Sequence, residues 1–143
     1  MRELIRVLVV ESQLVVRRGL AATFAHEPDI KIVGEATDGC EAIEKAVLLK
    51  PDIVLTEVCL PRLGGLRAIA AIKEKLPGMS ILVLTGSNRE KDYLTAVALG
   101  VQGYLDKSAT FDELISALRK VAAGGTVISP FTARPVALQS RLN

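Results

Sequence analysis

Five side chains able to bind a ligand stand just past apolar runs of this chain. Glu57 closes the run Pro51-Asp-Ile-Val-Leu-Thr-Glu57 and precedes Val58-Cys-Leu-Pro61 and Gly64-Gly65. A strand buried on both faces reads as a near-continuous apolar run, so Glu57 falls where such a strand ends. Open α/β sheets place their ligand sites outside the carboxyl ends of their strands. Glu11 and Ser12 follow one further run, Thr85 closes another and Lys107 follows a third. Two carboxylates, two hydroxyls and an ammonium on one edge can hold a ligand by charge and hydrogen bonds. Taken singly, each has a plainer reading. Glu57 is then a solvated residue at a loop start, Lys107 a surface lysine, and Thr85 and Ser12 helix caps.

The elements that must position these residues alternate five times. Strands are predicted at Ile5–Val10, Ile30–Ala36, Asp52–Glu57, Ser80–Thr85 and Gly103–Asp106. Helices are predicted from Ser12 to about His26, then at Gly39–Leu49, Gly65–Leu76, Arg89–Leu99 and Phe111–Ala123. The first helix is expected to turn Val15, Val16, Leu20 and Phe24 inward, and the second Ala42, Ile43, Ala46 and Val47. Lys50-Pro51, Pro77-Gly78, Gly100 and Gly124-Gly125 are the stops. Strands joined by single helices pair in parallel through right-handed crossovers. The expected fold class is therefore α/β: a three-layer, doubly wound, five-stranded parallel sheet in the order 2-1-3-4-5. That order sets the first and third strands side by side and brings Glu11, Ser12 and Glu57 into one cleft. Residues 1–125 are read as one domain and 126–143 as a linker or tail. In that tail Pro130 and Pro135 forbid one continuous helix, and Val136, Leu138 and Leu142 form a short amphipathic pattern.

Composition narrows the class. The chain has 143 residues, half of them hydrophobic, which fits one packed domain. Aromatics are 3% with no Trp, and the net charge is +2, which gives no case for nucleic-acid binding by this segment. Cys40 and Cys59 have no zinc or redox spacing, and they read as reduced thiols of a cytoplasmic protein. No uncharged stretch approaches the ~20 residues of a membrane helix. A nucleotide- or flavin-binding enzyme is disfavoured, since neither G-x-G-x-x-G nor G-x-x-x-x-G-K-[ST] occurs.

The ordered fragments carry a resemblance. Ile5-Arg-Val-Leu-Val-Val10, Arg17-Arg-Gly-Leu20, Val33-Gly-Glu-Ala-Thr-Asp-Gly39 and Lys50-Pro-Asp-Ile-Val54 are followed by Pro61 with Gly64-Gly65-Leu66. Ile81-Leu-Val-Leu-Thr85, Gly103-Tyr-Leu-Asp-Lys107 and Ala122-Ala-Gly-Gly125 complete the series. Over about residues 4–130 the chain resembles the receiver domain of bacterial two-component response regulators, most closely the LuxR/NarL type. The resemblance implies a phosphoacceptor at Glu57, an acidic pair at Glu11 and Ser12, and phosphoryl contacts from Thr85 and Lys107. It also implies a switch aromatic at Tyr104 and a Mg²⁺ site built from Glu11, Glu57 and the carbonyl of Cys59. Phosphoryl transfer rests mostly on positioning and charge neutralisation, which suits those residue types.

Three positions depart from the pattern the resemblance implies. Glu57 stands where that family has Asp, Ser12 where it has a second acid, and Gln13 where this type commonly has His. The extra methylene carries the Glu57 carboxylate about 1.5 Å further from the backbone, into space a phosphoryl group would fill and within reach of Lys107 and Thr85. Errors of about 1 Å in such geometry cost on the order of 100-fold. Losing one acid reduces the formal pocket charge from −2 to −1 and weakens Mg²⁺ binding.

The expectation is a non-enzymatic, atypical receiver: a signalling and protein-interaction module independent of Asp phosphorylation. It has no obligate cofactor and a weakened Mg²⁺ site. Its expected partners are a second copy of itself and a sensor histidine kinase, with DNA reached only through an output domain absent from this chain. The interaction surface is either the last two helices with the fifth strand or the first and last helices. The alternative is a conventional phosphoacceptor, modified by a histidine kinase at Glu57 or elsewhere.

Overall fold

A computed structural model of the chain describes residues 4–131. Five strands alternate with five helices: β1 (Ile5–Val10), α1 (Leu14–Phe24), β2 (Ile30–Ala36), α2 (Gly39–Leu49), β3 (Ile53–Thr56), α3 (Gly65–Lys75), β4 (Ser80–Thr85), α4 (Glu90–Ala98), β5 (Gly103–Asp106) and α5 (Phe111–Ala122). The strands form one sheet in the order β2-β1-β3-β4-β5, and every neighbouring pair is parallel. The topology is the expected one, and element ends differ by one or two residues.

Side-chain alternation along each strand builds two cores. Val7 and Val9 of β1, Ile53 and Leu55 of β3 and Leu82 of β4 meet Leu20 and Phe24 of α1 and Leu114, Leu118 and Val121 of α5. Leu8, Val10, Val54, Ile81 and Val83 point the other way, onto Ala42 and Ala46 of α2, Ile69 and Ile72 of α3 and Ala96 of α4. Small residues on α2 and α4 let those helices lie close to the sheet. Arg119 of α5 grips both oxygens of buried Asp29 at 3.0 Å and Glu27 at 2.6 Å, tying α5 to the α1–β2 turn. These partners push its guanidinium further above its ordinary pKa.

Three local expectations are corrected. Val15 is 84% exposed rather than inward, because the α1 stripe that meets the sheet runs through Val16, Leu20 and Phe24. Val47 is likewise exposed at 40%. Ser12 does not cap α1: the N-cap is Gln13, and it makes no side-chain cap bond. Asp38 caps α2 through the amide of Glu41. Thr110 and Glu113 form a reciprocal capping box at α5.

The sequence after α5 turns at Gly124 (φ +92°) and runs back along the free edge of β5. Residues 126–131 thus dock on the domain. The expected amphipathic piece at Val136, Leu138 and Leu142 lies outside the described residues, as does Pro135.

Gly65 sets how closely α3 approaches the end of β3. A Cβ there would lie 2.2 Å from the Glu57 carbonyl oxygen and 2.6 Å from Val58 Cα, both backbone atoms. Gly65→Ala should cost at least about 1–3 kcal/mol. Gly19→Ala in α1, where nothing lies within 4 Å, should be neutral or stabilising by up to about 1 kcal/mol. Urea midpoints of the two variants check the contrast.

Candidate functional site

The site is set by backbone registers before any side chain reaches it. Val10 of β1 lies opposite Thr56 of β3, and Thr85 of β4 lies opposite Asp106 of β5. The residues after these pairs are held by the sheet as well. The Glu11 amide donates to Ala36 O (2.9 Å), the Glu57 amide to Val10 O (3.1 Å) and the Lys107 amide to Thr85 O (2.8 Å). Glu57 is therefore the first residue past β3 rather than its last. Glu11 and Glu57 are 3% and 5% exposed, so two carboxylates face each other across the carboxyl edge in a place largely closed to water.

Lys107 is their cation. Its Nζ lies 2.7 Å from Glu11 Oε1 and 3.7 Å from Glu57 Oε1. The second oxygen of Glu11 accepts from the Gln13 amide at 2.9 Å, and its carbonyl accepts from Arg17 Nη1 at 2.7 Å. Glu57 is less well provided for. Oε1 accepts a long bond from the Gly86 amide at 3.4 Å, and Oε2 is buried without a hydrogen-bond partner. Lys107 thus reaches Glu57, but its shorter contact is to Glu11.

Thr85, fully buried, is turned to the β4–α4 loop. Its hydroxyl accepts from the Ser87 amide at 3.0 Å, and Ser87 Oγ donates to Asp92 at 2.6 Å. No Thr85 contact with the Glu57 carboxylate accompanies these bonds among the described hydrogen bonds. Ser12 is exposed beside the cleft. Cys59 is exposed too, but partial desolvation of its thiol, then the Glu57 charge, pushes it above the ordinary range.

Tyr104 packs against the α2–α3–α4 core. Its hydroxyl is buried without a hydrogen-bond partner. Burial first, then the charges of Asp92 and Glu57, push the phenol up to about 12. Its ring meets Tyr93 edge-on, centroids 5.2 Å apart at 82°.

Mg²⁺ wants several oxygens in octahedral array, and the residues that would hold it here are Glu11, Glu57 and the Cys59 carbonyl. Each Glu11 oxygen already has one partner, Lys107 or the Gln13 amide, and Glu57 Oε2 has none. Among the described residues no group of three or more His, Cys, Asp or Glu could hold a metal ion. No described helix is long and apolar enough to cross a membrane.

Gly86, Ser87, Asp92 and Tyr93 were not picked out from sequence. Asp92 and Glu90 in the first turn of α4 are an ordinary helix-start signal that does not distinguish a loop clamp from a solvated end.

The model of the response regulator receiver domain matches residues 7–119, and the chain belongs to that family. It is 34% identical over 137 residues to the nitrate/nitrite response regulator protein NarL of Escherichia coli (strain K12), covering 96% of this chain and 63% of that protein. It is 36% identical to the response regulator GacA of Pseudomonas viridiflava over 96% of this chain and 64% of the relative. The chain thus spans under two thirds of the length of these curated relatives. Among solved structures, a LuxR-family two-component response regulator from Aurantimonas sp. SI85-9A1 superposes with a TM-score of 0.85 at 30% identity, over 99% of this chain and 100% of that one. The signal receiver domain of the putative response regulator NarL from Mycobacterium tuberculosis gives 0.80 at 26% identity, over 85% and 98%.

Lys107→Met strands two buried carboxylates. It should cost roughly 3 kcal/mol, the low side for breaking a buried pair because the lysine is a quarter exposed. Glu57→Gln, which loses only long contacts, should cost about 1 kcal/mol or less. Urea denaturation at neutral pH should return the two in that order.

Proposed function

We propose that this receiver domain is a non-enzymatic signalling and interaction module whose state is set without phosphorylation of an Asp. Glu57 occupies the position where the receiver pattern places the phosphoacceptor. The observation that carries the reading is the state of that carboxylate: buried, one residue past β3, with the site's ammonium held 2.7 Å from Glu11. A phosphoryl group entering here would have to displace the lysine from Glu11 and find Thr85 turned to its own loop. Ser12 supplies no second carboxylate, so the Mg²⁺ site is weakened at its source.

The decisive measurement is intact mass after incubation with acetyl phosphate and Mg²⁺. The chain should stay unmodified, while the double variant Glu57→Asp, Ser12→Asp should gain about 80 Da, one phosphoryl unit. A stoichiometric gain by the parent chain, lost in Glu57→Gln, would establish the conventional phosphoacceptor instead.

The partners follow from the surfaces. The β5 edge is covered by residues 126–131. The face of α1 and α5 is open, with Leu14, Val15 and Phe111 exposed beside an apolar groove of about 460 Å³. Exposed Arg18 on α1 and Asp112 and Glu113 on α5 give that face charges of both signs, which suits a two-fold self-contact. A second copy of the chain is the proposed occupant. A sensor histidine kinase remains the proposed upstream partner, and DNA would be reached through an output domain in the length the relatives have beyond this match. Val15→Asp combined with Phe111→Asp should raise the dimer dissociation constant by tenfold or more in sedimentation equilibrium, with far-UV circular dichroism unchanged.

A further inference from the structure

A sheet has two edges, and an edge strand left open is a template for pairing. Residues 126–131 cover β5. The other edge is β2, and its C-terminal end is met by side chains instead of a strand. Backbone groups of successive strand residues point to opposite sides of the strand. Ala36 O accepts from the Glu11 amide and so faces β1. The Glu35 carbonyl and the Thr37 amide therefore face outward. Lys45 Nζ donates to Glu35 O. Glu41 Oε1 accepts from the Thr37 amide at 2.7 Å and from the Thr37 hydroxyl at 3.3 Å. Glu41 and Lys45 stand one turn apart on α2 and pair with each other at 3.5 Å.

The β5 edge shows what such a pair of groups receives from a strand. There one residue, Val127, donates its amide to Gln102 O at 2.9 Å and accepts from the Tyr104 amide at 3.0 Å. The spacing at β2 is the same: the carbonyl of one residue and the amide two residues on. The Lys45 ammonium takes the place of the incoming amide, and the Glu41 carboxylate that of the incoming carbonyl. The ion pair thus makes the two bonds that one residue of a sixth strand would make. The Thr37 amide, then the Lys45 charge, hold the Glu41 carboxyl below its ordinary range against partial desolvation. Other features blunt the rest of the edge. The register slips between Val7 and Leu8, which leaves Val33 as an extra residue in mid-strand. Lys31 sets an exposed charge near the start of β2. Neither reaches the end of the strand, which is left to the ion pair.

We propose that the Glu41–Lys45 pair is a guard on the sheet: it occupies the outward pairing groups of Glu35 and Thr37 and keeps β2 from adding a strand, and the strand it excludes is β2 of a second copy. A second copy offers β2 because its β5 edge is already covered. Two copies of β2 related by a two-fold axis run antiparallel, and pairing around residues 35–37 would join their sheets into one. The guard stands on α2, away from the groove between α1 and α5. It acts whether or not that groove makes a dimer, and whether or not Glu57 carries a phosphoryl group.

Sedimentation equilibrium of the full 143-residue chain, with Val15→Asp and Phe111→Asp in place to silence the α1–α5 face, tests the guard. Exchanging the two charges, Glu41→Lys with Lys45→Glu, keeps the net charge but leaves Thr37 without its acceptor and Glu35 without its donor. That variant should self-associate about tenfold or more tightly than its parent. Its Thr37 amide, followed by NMR hydrogen exchange, should become protected as concentration rises. Lys45→Met, a milder change that frees only the Glu35 carbonyl, should shift association in the same direction. Glu41→Gln with Lys45→Arg keeps an acceptor and a donor and should behave as the parent. If both the exchanged variant and Lys45→Met stay as monomeric as the parent, the guard is overturned. Association without protection of Thr37 places the contact elsewhere and overturns it too. Association of the Gln/Arg variant as tight as that of the exchanged one overturns the role of the two hydrogen bonds.

Discussion

One ammonium serves two buried carboxylates, and the arrangement of the carboxyl edge follows from that shortage. At about 4 Å an ion pair is worth roughly four times more at the effective dielectric of a protein surface than in water, so Lys107 must settle between its partners rather than wander. It settles on Glu11, whose other oxygen is already fixed by the Gln13 amide. Glu57 receives the remainder: a long ionic contact, a long amide bond and one oxygen with no donor. The pocket keeps a net formal charge of −1. Its unmet capacity is concentrated on the residue that follows β3.

This concentration depends on the strand order. Placing β1 next to β3 brings Glu11 and Glu57 together, and placing β4 between β3 and β5 lets Lys107 reach across. Gly65 then admits α3 close behind Glu57, with its amide on the Val58 carbonyl. The two-sided core holds the three strand ends rigid, so the geometry of the carboxylates is inherited from packing and not from the contacts they make with each other.

The strands and their order were legible because buried parallel strands are apolar on both faces and because Gly and Pro punctuate every connection. The gathering of Glu11, Glu57, Thr85 and Lys107 at one edge followed from topology alone. What was not legible depends on side-chain reach and rotation. Whether Lys107 prefers Glu11 or Glu57 is decided by a difference of 1.0 Å between two contacts, which no spacing encodes. Thr85 has a hydroxyl that either the cleft or its own loop can use, and the loop won through Ser87. Val15 and Val16 are adjacent valines, and only the angle of α1 on the sheet chooses between them. The cover on β5 was invisible for another reason. It joins Val127 to Gln102 and Tyr104, and Phe131 to Tyr93, partners far apart in the chain with no periodicity to announce them.

The weakness of the Glu57 contacts bears on how such a domain is held in one state. A fixed group biases a two-state equilibrium only by its differential contacts with the two states. Moving a population from 1:99 to 99:1 takes about 5.5 kcal/mol. An amide bond of 3.4 Å and an ionic contact of 3.7 Å sit beyond good hydrogen-bond length and supply a small part of that. Glu57 alone is thus a bias and not a lock. The remainder must come from other groups, since the described contacts of the Glu57 carboxylate are the Gly86 amide and Lys107.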